Sequence, residues 1–103
     1  MPFIMTNCWY PPHLAPKVAQ KYLDSLQKLP VPSTIKRVVP AASTSSPKGI
    51  IVLNVDEVKQ GDLGDAMDYA GKFMVEFMEI EGFRYEIKVW STISEALQNI
   101  GMG

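Results

Sequence analysis

The chain has 103 residues, 47% of them apolar and 20% charged, with ten Lys and Arg against eleven Asp and Glu for a net charge of −1. That profile fits one small domain with a single core over residues 1–103. Charge so close to zero argues against a nucleic-acid partner held by phosphate neutralisation. No apolar stretch approaches the roughly 20 residues that span a bilayer, and the opening Met1-Pro2-Phe3-Ile4-Met5 has no basic region, long apolar segment or cleavage site of a signal peptide. One cysteine, Cys8, excludes an intrachain disulfide and a multi-cysteine zinc site, and one histidine, His13, excludes most histidine-based metal sites. A cytoplasmic protein with no metal and no membrane partner is expected.

Residues 2 to 10 form an aromatic-rich apolar run closed by Pro11-Pro12, which predicts a strand. Its faces are Phe3, Met5, Asn7, Trp9 and Ile4, Thr6, Cys8, Tyr10; neither is wholly polar, so the strand belongs in the middle of a sheet. Val18, Tyr22, Leu26 and Leu29 recur at helical spacing over residues 14 to 29, and Pro16 fits only the first turn of that helix. Residues 34 to 41 predict a second strand, confined to an edge by Pro40, followed by a polar loop over residues 42 to 49. Ile50 to Val55 is the strongest strand pattern and predicts a central position.

A second helix is predicted from about Asp62 or Asp65 to Glu81. Leu63, Met67, Ala70, Met74, Phe77 and Met78 share its broad apolar face, and Gly82 suits its C-cap. Phe83 to Trp90 alternates, with Tyr85, Ile87 and Val89 opposite Arg84, Glu86, Lys88 and Trp90. Thr92-Ile93-Ser94-Glu95 reads as a capping box opening a short last helix. Residues 1–55 carry six basic and one acidic residue, and residues 56–86 three basic and nine acidic. The first helix is therefore basic and the second acidic, a pattern that aligns them if they lie side by side.

The order β-α-β-β-α-β plus a short C-terminal helix predicts an α+β fold, the ferredoxin-like split β-α-β sandwich. Both long helices then cover one face of a four-stranded antiparallel sheet, and the other face, rich in apolar residues, is left for a partner.

The element order, the early aromatic strand, the segment Ile80-Glu81-Gly82-Phe83-Arg84-Tyr85-Glu86 and the closing Ser91-Thr92-Ile93-Ser94-Glu95-Ala96-Leu97 resemble the dimeric α/β-barrel superfamily, closest to its small uncharacterised members. The resemblance implies a homodimer, or a higher even-numbered assembly, with two sheets packed face to face and a cavity between sheet and helices. Haem-degrading members combine an Asn on the first strand with a Trp and a His. Asn7 and Trp90 offer the first two, but His13 follows the first strand and the second helix has no histidine, so no cofactor is expected.

The densest chemistry lies at Asn7-Cys8-Trp9-Tyr10-Pro11-Pro12-His13. Cys8 reads as a buried inert thiol. Alternation places Asn7 and Trp9 on one face, so the expected ligand site is Asn7 and Trp9, with His13 at the rim and Arg84 as an anion partner from the neighbouring strand. Asn54 and Asp56 share the face of Ile50 and Val52 and are candidates for the same cavity. Methionines 5, 67, 74 and 78 read as core. A charge at Val52 tests the dimer if that side chain faces the partner.

Three functions compete. The first is a binding or assembly module for a small apolar or amphipathic molecule, with the chain itself as partner. The second is a cofactor-independent monooxygenase or isomerase acting on an activated aromatic or enol-type substrate. The third is an amino-acid-type ligand sensor, which Tyr10-Pro11-Pro12-His13 disfavours because that segment is stiff where such sensors carry a glycine-bearing loop.

Overall fold

Along strand β1, Phe3–Tyr10, burial alternates residue by residue. Ile4, Thr6, Cys8 and Tyr10 are buried, while Phe3, Met5, Asn7 and Trp9 are half-buried. This two-residue period marks a strand with one face against a packed layer and the other without one. The structure, a computed structural model, describes residues 1–102.

A 3-10 turn, Pro12–Leu14, leads from β1 into helix α1, Ala15–Lys28. The hairpin β2, Ile35–Ser46, and β3, Gly49–Val58, follows, then helix α2, Leu63–Val75, strand β4, Arg84–Trp90, and helix α3, Ile93–Asn99. The four strands are antiparallel in the order β2-β3-β1-β4. The fold is thus mixed α+β with a four-stranded antiparallel sheet and three helices, consistent with a ferredoxin-like arrangement. β1 and β3 are central and the proline-bearing β2 is an edge, as the residue pattern predicts.

Both long helices pack on the face that carries Ile4, Cys8 and Tyr10. Val18 of α1 and Phe73 and Met74 of α2 join Cys8, Tyr10, Phe77 and Ile80 in one cluster, and Ala66 of α2 joins Ile4, Ile35 and Val58 in another. One sheet and one helix layer account for the shortest molecular extent, 18 Å against 48 and 32 Å. The charge pattern aligns α1 with the end of α2: Lys21 pairs with Glu79, and Lys28 Nζ lies 2.7 Å from Glu76. The capping box is present, with Thr92 Oγ1 accepting from Glu95 N at 3.2 Å and Glu95 Oε1 accepting from Thr92 N at 2.8 Å.

Three local expectations change. β2 does not stop near Pro40 but runs to Ser46, passing two register shifts between Arg37 and Ala42. Pairing with β3 carries the polar Ser-Thr-Ser stretch as strand, and the hairpin closes at Gly49, whose φ is +116°. A Cβ there would come within 2.7 Å of the Tyr10 carbonyl oxygen, so only glycine fits.

Helix α2 stops at Val75 rather than Glu81. Beyond it Phe77 N–H bonds Met74 O, Met78 N–H bonds Val75 O and Ile80 N–H bonds Phe77 O, three-residue steps that wind the chain more tightly. The tighter winding buries Phe77 and Ile80 and turns Met78 out to 71% exposure, which removes Met78 from the expected core. Gly82, with φ of +93°, serves the turn into β4 rather than capping the helix.

Third, Val52 lies on the covered face. It pairs with buried Cys8, and the helix-free face of β3 is instead Ile51, Leu53, Val55 and Glu57.

Because the segment after α2 is core on one side only, Phe77→Ala should destabilise by about 3–5 kcal/mol and Met78→Ala by less than about 0.5 kcal/mol. Urea unfolding of both variants checks this; equal losses would mean that the helix continues.

Candidate functional site

A cavity of about 170 Å³ lies between the covered sheet face and the helices. β1 contributes Cys8 and Tyr10 to it, and β3 contributes Val52 and Asn54. Val18 and Tyr22 of α1 and Phe73 of α2 close the opposite side, while exposed Ser43 of β2 stands at the mouth. Aromatic rings run along this wall in series. Tyr10 stacks on Phe83 with centroids 6.1 Å apart, Phe83 on Phe77 at 4.8 Å, and Phe77 leans on Phe73 at 5.9 Å. Tyr22 then meets Phe73 edge-on at 5.9 Å, an arrangement that suits the ring quadrupoles.

The cavity's β3 end is polar. Asn54 and Asp56, 8% and 6% exposed, project inward from β3 beside buried Thr6. Arg37 reaches them from β2, with its Nη1 donating to Asn54 Oδ1 at 3.2 Å and its Nε 3.2 Å from Asp56 Oδ1. The same Asn54 oxygen accepts the Ala41 N–H at 2.6 Å. Ala41 has φ of +48°, a left-handed conformation that costs a non-glycine residue of order 1–2 kcal/mol, and the Asn54 bond holds it there.

Arg37 Nε and Asp56 Oδ1 attract as an ion pair but lie out of line for a hydrogen bond, so both buried atoms lack a hydrogen-bond partner. They flank a second, small cleft of about 20 Å³, which shares Asn54, Phe73 and Met74 with the main cavity and is also lined by Tyr69. The Tyr69 hydroxyl donates to Leu29 O at 2.8 Å.

Burial sets the electrostatics. It pushes the Asp56 carboxyl above the usual carboxylate range, with Arg37 opposing the shift. A carboxyl shifted this way binds its proton more tightly in the folded chain. Its contribution to stability is therefore full below the ordinary carboxylate pKa and is lost as pH rises through the folded value. Burial also raises the Tyr69 hydroxyl, again opposed by Arg37, and pushes the Cys8 thiol up to about 12. The Cys8 S–H points to Met74 Sδ, 3.7 Å away. It is a protonated packing group and supplies no thiolate.

The residues expected to form the site fall elsewhere. Asn7 and Trp9 lie on the helix-free side of β1, and Arg84 joins them there because it pairs directly with Trp9. Asn7 sits between Leu53 and Glu86. These three share one face, with the sheet itself between them and the cavity. His13 is exposed in the 3-10 turn. The cavity takes the other face of β1; of the two β3 candidates, Asn54 lines it and Asp56 lines the neighbouring small cleft. Arg37 is the functional side chain that motif reasoning missed. Its signal is the register Ile35-x-Arg37, which puts it on the same face as buried Ile35.

No protein-family model matches the chain, and no curated protein does. A de novo designed protein, Foldit4, has a similar solved structure, with a TM-score of 0.57 and 4% identity over 88% of this chain and 96% of that one. At that identity the likeness shows the fold alone: a small α+β protein with a four-stranded antiparallel sheet.

Two outcomes follow from the buried polar end. Arg37→Met leaves Asp56 buried without its cation and should destabilise by about 3 kcal/mol, the low end for a broken buried pair because the guanidinium keeps some solvent. Arg37→Met with Asp56→Leu should recover most of that loss in denaturant titrations. Cys8 should react with a disulfide reagent at pH 8 at least about a thousandfold more slowly in the folded chain than in denaturant, as its thiolate fraction dictates. Equal rates would refute the burial of the thiol.

Proposed function

We propose that the chain is a homodimeric binding module of the ferredoxin-like, dimeric α/β-barrel type, holding a small apolar or amphipathic molecule between its sheet and its helices. The observation that carries this is the aromatic-walled cavity ending on buried polar groups. The cavity opens to solvent beside Ser43, so an apolar occupant would release water from its aromatic wall. The chemistry at hand favours binding over turnover. The one thiol is held protonated, and the only histidine stands exposed in the 3-10 turn.

The helix-free face supports the dimer. Phe3, Met5, Trp9, Ile51, Leu53 and Val55 form its apolar centre. Arg84, Glu86 and Lys88 run in alternating sign along the β4 side, and Lys36 and Glu57 pair across β2 and β3. A specific interface there should bury more than about 1,000 Å² in total.

Sedimentation equilibrium at micromolar concentration should return a dimer. Leu53→Asp should give a folded monomer, whereas Val52→Asp should impair the cavity. A monomeric parent would refute the assembly. A thermal-shift panel of small aromatic and amphipathic molecules tests the cavity: a ligand at about ten times its Kd should raise Tm by about 5–10 °C. A parent that no member of the panel stabilises would refute the binding module.

A further inference from the structure

Strand β4 is an open edge of the sheet. It pairs with β1 on one side, and among the described residues no strand pairs with the other. Its sequence, Arg84-Tyr85-Glu86-Ile87-Lys88-Val89-Trp90, contains neither proline nor glycine, and its ladder to β1 runs without a register shift. The opposite edge, β2, is broken by Pro40 and by two such shifts. β4 therefore presents a straight row of backbone N–H and C=O groups, a template for another strand. Helix α3 is drawn to the start of β1, where Glu95 lies 3.1 Å from the Met1 ammonium. Tyr85, Val89 and Trp90 stand 40%, 44% and 51% exposed.

The side chains decide which strand this edge accepts. Arg84, Glu86 and Lys88 share the helix-free face and read plus, minus, plus. A second copy of β4 running antiparallel across a two-fold axis keeps its side chains on matching faces only when the axis passes through a residue, since a strand alternates with period two. An axis through Glu86 sets Glu86 against its own copy and Arg84 against the partner's Lys88. An axis through Lys88 sets Lys88 against its own copy. Like charges directly opposite are unfavourable. Axes nearer either end leave most of the strand unpaired.

An axis through Ile87 pairs the whole strand and reverses the electrostatics. Glu86 then faces the partner's Lys88, and Lys88 faces the partner's Glu86. Within each chain Lys88 Nζ already lies 2.9 Å from Glu86, so the four charges alternate in sign around a ring. Tyr85 lies opposite the partner's Val89, an aromatic and β-branched pair that suits neighbouring strands. Arg84 lies opposite the partner's Trp90, a cation beside an aromatic ring. The charges that repel a stray strand thus admit a second copy in one register.

We propose that β4 is a self-pairing edge: two copies of the chain join β4 to β4, antiparallel about Ile87, and their sheets become one continuous sheet. This contact is separate from the face-to-face dimer and does not depend on it. A single strand pair is a small contact, so it forms at higher concentration than that dimer.

Sedimentation equilibrium on Leu53→Asp, which removes the face-to-face dimer, reads the edge alone. Its micromolar monomer should pass to dimer as the concentration rises to about one millimolar. Adding Glu86→Lys or Lys88→Glu should weaken that dimer at least about tenfold, because symmetry places each altered pair in the contact twice. An equimolar mixture of the two charge variants should associate as well as Leu53→Asp itself, since each then faces its opposite. A monomer throughout, or a mixture no stronger than its components, would overturn the proposal. Disulfide trapping reads the register. Glu86→Cys and Lys88→Cys should cross-link to each other and neither to itself, since like positions stand on a diagonal about 7–8 Å apart. Self-cross-linking of either would overturn the register; Cys8 is buried and takes no part.

If Leu53→Asp does not fold, the charge variants are read in the parent. Its dimer should then grow to a tetramer at high concentration and stay a dimer in either charge variant alone; a parent fixed as a dimer would overturn the edge. A parent already monomeric at micromolar concentration defeats the face-to-face reading only, and takes the place of Leu53→Asp in the same measurements.

Discussion

The side-chain oxygen of Asn54 takes two hydrogen bonds from β2, one from the backbone of Ala41 and one from the Arg37 guanidinium. Between those two donors the edge strand slips its register twice against β3. One buried amide thus fixes a backbone irregularity and a charged side chain together. With Arg37 turned inward, Asp56 has its counter-ion, and the polar end of the cavity takes its shape. Replacing the amide with an apolar group would leave the Ala41 N–H, the guanidinium and a left-handed backbone without their common anchor. Each is unfavourable alone, which is why this contact outranks any surface ion pair in the molecule.

The remainder of the interior is apolar and adaptable. Rings from β1, α1, α2 and the turn beyond it meet in one series, so the helices are registered on the sheet through aromatic contacts more than through charge. The exposed pairs Lys21–Glu79 and Lys28–Glu76 sit outside that layer, where water screens them. The charge asymmetry along the sequence chooses an alignment, and packing supplies the stability.

Local signals in the amino-acid pattern proved the most legible. The Pro bracket of β1, the apolar stripe of α1 and the Thr92–Glu95 capping box each depend on near neighbours, and each lies where the pattern puts it. The end of α2 was not legible, because Phe77 and Ile80 are three apart and that spacing suits a tight turn as well as a helix. The cavity's face was not legible for a different reason. Alternation divides β1 into two faces without saying which meets the helices, and Asn7 with Trp9 looked richer in chemistry than Cys8 with Tyr10. On β3, Asn54 and Asp56 are polar and yet inward, because their partner Arg37 comes from another strand. A buried charge pair across strands is a tertiary fact, visible in the sequence only once the register is known.

The irregular stretch of β2 also governs how the sheet can grow. An edge strand normally offers a row of free N–H and C=O groups to any passing strand. Here Pro40 has no N–H, and the Ala41 N–H is turned inward to Asn54. Neither residue offers a donor to the outer rim, and the backbone bends at the same point. A fifth strand could not form a continuous ladder on that side. The feature that shapes the cavity therefore also blunts this edge of the sheet against the addition of another strand.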